Sequence, residues 1–254
     1  VWQKNKMLYW LLLPAALLIL FLRIYPLWGI SIAFVDYNPV EGLAGSTWNN
    51  FGNFLDVFRR PEVWNVVRNT LFIALGKILI GETAGLAFAL LLNEMRSPIF
   101  KKIVQTATTI PHFLSWVIVG AIMISLLGSS GGVNDILTSL NAEPVKFLSS
   151  KQVFPWTLIL SEIWKEFGFS AVIYLAALTQ INPELFEAAA VDGAGRAGRL
   201  WNVVIPSIMP IFIFMVAINL GGILDAGFEQ VLVLYNPAVY STGDILDTYI
   251  YREG

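Results

Sequence analysis

The chain alternates between long apolar runs and short polar breaks. The first apolar run, Met7–Leu22, follows Lys6 and resumes after Arg23 as far as Val35. It is too long and too rich in leucine for a cleavable leader, so a retained membrane helix is predicted, kinked at Pro14 and Pro26. Residues 36–63 then turn polar through Asn38-Pro39, Glu41-Gly42 and Arg59-Arg60-Pro61, which predicts an extramembrane loop with little core of its own. A second span is predicted over 66–92, with Lys77 and Glu82 inside it and Gly76, Gly81 and Gly85 along it. The third covers 103–127, uncharged except for His112 beside Pro111, and stops at the glycines and serines of 128–132. A polar loop reaches Gln152. The fourth span, 154–178, carries Glu162, Lys165 and Glu166; the fifth, 205–224, carries no charge. The remainder, 225–254, is polar and aromatic, too poor in apolar residues to cross a membrane, and is expected outside.

Composition agrees. Of the 254 residues 56% are hydrophobic and 13% charged, with mean hydropathy +0.67. Soluble domains carry about 25% charged residues, so the chain is predicted to be an all-α polytopic membrane protein of about five spans. A net charge of -2 suggests no nucleic acid partner. No cysteine and one histidine exclude disulfides, zinc–thiolate chemistry and a multi-histidine metal site.

If five spans alternate, Lys4, Lys6, Arg96, Lys101, Lys102, Arg196 and Arg199 share one side. Arg59, Arg60, Lys146, Lys151 and Arg252 lie on the other, spread over longer loops. Short loops set orientation, so the amino terminus and the segment after the fourth span are expected to be cytoplasmic.

That segment, 182–205, is the most informative part of the chain. Asn182-Pro183-Glu184 is a helix start: a capping side chain, proline in the first turn, then an acid. Ala188-Ala189-Ala190 form helix with little side chain and allow close approach by another backbone. Asp192-Gly193 turns the chain, and Pro206 opens the fifth span. A short helix–turn–helix on the membrane face is predicted, presenting Glu187, Asp192 and Arg196 to a partner. On composition alone it equally reads as a plain amphipathic connector.

The spacing distinguishes them. Glu187-Ala188-Ala189, three residues, Gly193, nine residues, Val203, then Ile205-Pro206 resembles the coupling-loop signature of permease subunits of ATP-binding-cassette importers. That signature usually has Ile and Leu where this chain has Val203 and Ile205. Gly193-Ala194-Gly195-Arg196-Ala197-Gly198 also matches the dinucleotide motif G-x-G-x-x-G, but an alanine helix precedes it and an apolar span follows, so that reading fails. No phosphate-binding G-x-x-x-x-G-K-[ST] occurs.

Ile110–Trp116, Gly227–Gln230 with Leu234–Pro237, and Asp247–Arg252 resemble the carbohydrate permeases that handle complex oligosaccharides, including uronate-rich ones such as alginate fragments. The resemblance covers nearly the whole chain. It implies a type I importer permease bundle in the bacterial cytoplasmic (inner) membrane, with a final span following Tyr251-Arg252-Glu253-Gly254. It implies two separate ATPase subunits holding the ATP and magnesium, a second and non-identical permease subunit, and an extracytoplasmic solute-binding protein. Neither cofactor nor enzymatic activity is then expected in this chain, and Glu187, Ala188, Ala189, Asp192, Gly193 and Arg196 would couple it to the ATPases.

Charges at membrane depth cost about 2.5–3.5 kcal/mol each on insertion scales, so they face a wet cavity or one another. Trp164, Lys165 and Glu166 offer a carbohydrate-binding group or, equally, a structural ion pair. For Lys77 and Glu82, five residues apart on one helix, structural pairing to other helices is favoured, with a place in the substrate pathway as the other reading. His112 reads best as a structural hydrogen-bonding group. A self-contained secondary transporter or channel would show repeats and paired midplane carboxylates, and a glycan-cleaving membrane enzyme a clustered acid pair; neither pattern is present.

Overall fold

The computed structural model describes residues 6–253; Lys4, used above for orientation, lies outside them. The described part is helical apart from one two-stranded ribbon, and it divides into two compact units, residues 1–64 and 65–254.

In the first unit α1 (Lys6–Ile19) runs into a π-helical turn, Leu20–Ile24, and a 3-10 segment, Tyr25–Phe34, with Pro26 in its first turn. Together they make a 29-residue apolar stretch whose most apolar window is wholly unburied, the pattern of a lipid-facing helix. Residues 36–63 are more ordered than a coreless loop. Strands β1 (Val35–Asp36) and β2 (Thr47–Trp48) pair antiparallel around a short helix α2 (Gly42–Gly45). Helix α3 (Gly52–Arg59) follows. Phe34 stacks on Trp48 and meets Phe51 and Phe54, while the Asn53 amide donates to the carbonyls of Ala33 and Val35. Four aromatic rings thus form a small, partly exposed cluster that orders the loop.

Helix α4 (Pro61–Asn93) starts five residues before its predicted beginning, because Pro61 is a good first-turn residue. In the second unit, α4 and α8 (Phe154–Leu178) run side by side in the same direction. The third span departs from expectation. It is broken into α5 (Pro98–Thr109), a 3-10 turn (Ile110–Phe113), two extended residues and α6 (Trp116–Leu127). Pro111 lacks the amide that would continue α5, and the Ser115 hydroxyl caps a fresh helix by accepting from the Ile118 amide.

Helix α7 (Gly132–Ser139) follows, and after α8 come α9 (Pro183–Val191) and α10 (Arg196–Arg199). A π-turn (Leu200–Val204) leads into α11 (Ile205–Leu220), which ends at Gly221-Gly222, short of the predicted Leu224.

The tail contains no candidate span among the described residues. It folds back as α12 (Phe228–Leu234), α13 (Tyr240–Gly243) and α14 (Leu246–Glu253). Ala226, Val231, Leu234, Val239 and Ile245 join Ile73, Trp116, Met123, Phe154 and Leu158 in one apolar cluster. The Asn69 amide donates to the carbonyls of Ser241 and Asp244, and Thr70 accepts from the Leu246 amide, fastening the tail to α4. A second cluster, Leu86, Ala89, Leu92, Tyr174, Leu178 and Ile208, closes the other end of α4 and α8.

Among the described residues four stretches are long and apolar enough to cross a membrane: 6–34, 61–93, 116–139 and 196–220. Helix α8, at 25 residues, spans about 37 Å and carries three charges, Glu162, Lys165 and Glu166.

Candidate functional site

Between the two apolar clusters lies a polar layer. Its centre is an open cavity of about 460 Å³, walled by α4, α8, α11, the turn after α11, and His112. Lys77 and Glu82 approach from α4, Glu162 and Glu166 from α8, Asn219 from α11 and Asp225 from the turn.

Lys77, Glu82, Glu162 and Glu166 are each held by a group from another element. Lys77 donates to the Ala226 carbonyl at 2.7 Å and to Gln230, and pairs with Glu162 at 3.6 Å. Ala226 and Gly227 both have left-handed backbone, at φ 48° and 86°, so Lys77 secures an otherwise unfavourable turn; a Cβ on Gly227 would press on its ammonium. Gln230 is fully buried and donates to the Leu158 carbonyl and the Ser161 hydroxyl, both at 2.8 Å. Glu82 accepts from the Tyr174 hydroxyl at 2.5 Å and from the Asn219 amide at 2.8 Å.

Lys165 is buried behind the cavity wall and bonds Glu166 at 2.7 Å and the His112 carbonyl at 3.0 Å. Glu166 holds the His112 ring at 2.6 Å, and that ring lies flat on Phe169, 3.9 Å between centroids. Lys77, Glu82 and Glu166 are therefore brought together, with Lys165 adjoining. Trp164 is not among the lining residues. Spacing within single helices gave no sign of Glu162, Tyr174, Asn219, Asp225 and Gln230; their polarity inside or beside apolar runs was the only available signal.

The second candidate is the 182–205 segment. Asn182 Oδ1 accepts from the Glu184 amide at 3.0 Å, and α9 begins at Pro183. It ends in a left-handed Gly193, φ 77°, with Gly193 and Ala194 amides donating back to the carbonyls of Ala190 and Ala189. That pair of bonds is a Schellman stop, which a glycine at this place favours. Arg199 Nε donates to the Ala194 carbonyl and closes the turn. Phe186 packs on the second apolar cluster, whereas Glu187, Ala188, Asp192, Gly193 and Arg196 are exposed and Ala189 partly so. Leu185 and Val191 are also exposed, Val191 to 88%, adding an apolar element that sequence reasoning did not single out. The surface combines small, acidic, basic and apolar groups.

Three comparisons bear on both places. The chain is 39% identical over 253 residues to the protein LplB of Bacillus subtilis, covering 99% of this chain and 80% of the relative. It is also 39% identical to the polygalacturonan/rhamnogalacturonan transport system permease protein YteP of Bacillus subtilis, at 99% and 78% coverage. A chain in the crystal structure of a bacterial ABC transporter involved in the import of the acidic polysaccharide alginate superposes with TM-score 0.90 at 36% identity, over 99% of this chain and 85% of that one. Residues 81–251, which contain most of the cavity wall and all of the 182–205 segment, match the family of binding-protein-dependent transport system inner membrane components, and the chain belongs to that family.

Proposed function

We propose that this chain is one of two non-identical permease subunits of an ATP-driven importer of oligosaccharides, with uronate-bearing oligosaccharides as its substrate class. The observation that supports it most is the whole-chain likeness to two systems named for acidic polysaccharides, polygalacturonan/rhamnogalacturonan and alginate. In this reading the cytoplasmic surface of α9, with Glu187, Ala188, Ala189, Asp192, Gly193 and Arg196, seats in a groove on one of two ATPase subunits. Those subunits hold the ATP and magnesium. Closure of the ATPase pair moves α9, and α8 carries the movement towards the polar layer.

On the opposite side a solute-binding protein delivers the oligosaccharide. The structure of a related alginate transporter bound to a periplasmic protein carrying an alginate pentasaccharide supports that arrangement; its chain matches this one at TM-score 0.90. Lys77, Glu82, Glu166 and their neighbours in the cavity would then line part of the pathway, offering fixed donors and acceptors to sugar hydroxyls. The chain sits as a multi-pass protein of the bacterial inner membrane, with its amino terminus and α9 in the cytoplasm.

Co-purification from native membranes tests the reading. An ATPase, a second permease and a solute-binding protein should accompany a tagged form of this chain. Uronate oligosaccharides should stimulate ATP hydrolysis by the assembled complex. Stimulation by neutral oligosaccharides alone would overturn the substrate class.

A further inference from the structure

The charges around the cavity do not balance. Glu82, Glu162, Glu166 and Asp225 face only Lys77 on its wall, with Lys165 directly behind Glu166. Counted by residue type, four carboxyl groups stand against two amines, a formal excess of acidic groups. A uronate entering here meets repulsion unless something supplies a positive donor.

His112 has the geometry to do so. Glu166 uses one oxygen for Lys165 Nζ at 2.7 Å and the other for His112 Nδ1 at 2.6 Å. A carboxylate engaged by an ammonium group is an acceptor, so Nδ1 carries the hydrogen. Nε2 is then left over, and it makes no hydrogen bond among the described residues. The ring lines the cavity, its side chain 28% exposed, and stacking on Phe169 at 3.9 Å and 5° fixes its plane. Neutral imidazole presents a lone pair at Nε2; protonated imidazole presents a charged N–H there.

Resting on the oligosaccharide reading, we propose that His112 is a specificity-determining residue of this cavity. When neutral, its Nε2 accepts from a sugar hydroxyl. When protonated, Nε2 donates a charge-assisted hydrogen bond to a uronate carboxylate. The charged groups that face it are Glu162, Lys165 and Glu166 from α8, Lys77 and Glu82 from α4, and Asp225 from the turn after α11. Protonation reduces the negative excess by one charge. The preference between acidic and neutral substrates therefore shifts as the imidazole gains its second proton.

The test uses the full importer, with its ATPases, second permease and binding protein, in proteoliposomes. Initial uptake of an alginate pentasaccharide is compared with that of a neutral pentasaccharide from pH 8 to pH 5.5, after correction for binding-protein occupancy at each pH. The acidic-to-neutral ratio should rise about tenfold on acidification, the scale of one charge-assisted hydrogen bond. His112→Gln should flatten the profile; His112→Asn, whose amide can still donate to Glu166, serves if the first variant does not assemble. A flat ratio in the wild type, or an unchanged slope in the variants, would overturn the proposal. Uptake of neither sugar by the ATP-driven wild type defeats the oligosaccharide reading itself, and the proposal with it.

Discussion

Lys165 Nζ donates to the backbone carbonyl of His112 at 3.0 Å, across 53 residues of sequence. The third apolar run breaks at that carbonyl, and hydrocarbon supplies no partner for a freed backbone group. One charge in α8 therefore makes a break in another span tolerable, and the same ammonium also neutralises Glu166.

Lys165→Met should accordingly strip the His112 carbonyl of its donor and leave Glu166 with the His112 ring alone. The expected cost is about 1.5–3 kcal/mol, the range for hydrogen bonds to charged groups. A thermal melt of the detergent-solubilised protein measures it. A melt unchanged from wild type would show that the break is held by other contacts.

Gly168 tests the same junction by sterics. A Cβ there would overlap the Thr108 carbonyl, which is backbone and cannot swing away. Gly168→Ala should destabilise by about 1–3 kcal/mol through overpacking. Gly81→Ala, on the neighbouring helix, is the control: its Cβ would meet only an Ile163 side-chain carbon, at 3.8 Å. The two variants melting alike would contradict the close approach of α5 and α8.

At Gly193 folding and coupling separate. Its φ of 77° disfavours any side chain, by roughly 1–2 kcal/mol, yet nothing lies within 4 Å of a Cβ built there. Gly193→Leu should remain in the membrane, with uptake lost because, in the proposed docking, the side chain would fill the space between α9 and the ATPase. Gly193→Asn, which tolerates left-handed backbone, should retain most uptake. Equal loss in both would point to the backbone turn rather than to the docking face.

Glu82 sits where two donors converge. Tyr174→Phe removes the 2.5 Å bond and leaves Asn219 as the one hydrogen-bond donor to the carboxylate among the described residues. The expected loss is about 1.5–3 kcal/mol. Glu82→Gln in the Tyr174→Phe background should recover part of it, since an amide tolerates the poorer setting. A double variant no better than Tyr174→Phe would mean that the carboxylate's charge is met by something other than Tyr174 and Asn219.

The parts legible in the sequence were those set by local rules. α8 occupies the predicted residues, and the α9 start at Asn182-Pro183 and its stop at Gly193 follow from capping and from glycine's backbone freedom. The tail was not legible. Val231, Leu234, Val239 and Ile245 are too few and too scattered to predict a span, and they become core only because α4, α6 and α8 leave a cleft for them. The break at 114–115 was half legible: Pro111 announced a disturbance, but the cation that stabilises it comes from another helix. Glu162, Asn219 and Asp225 were invisible as a group for the same reason, since tertiary packing alone brings them together.

The most direct test of the account is reconstitution. Proteoliposomes containing this chain with its second permease and ATPases, supplied with the binding protein outside and ATP inside, should accumulate a uronate pentasaccharide against its gradient, and should stop when ATP is withheld. Accumulation by this chain alone without ATP, driven by an ion gradient, would contradict it.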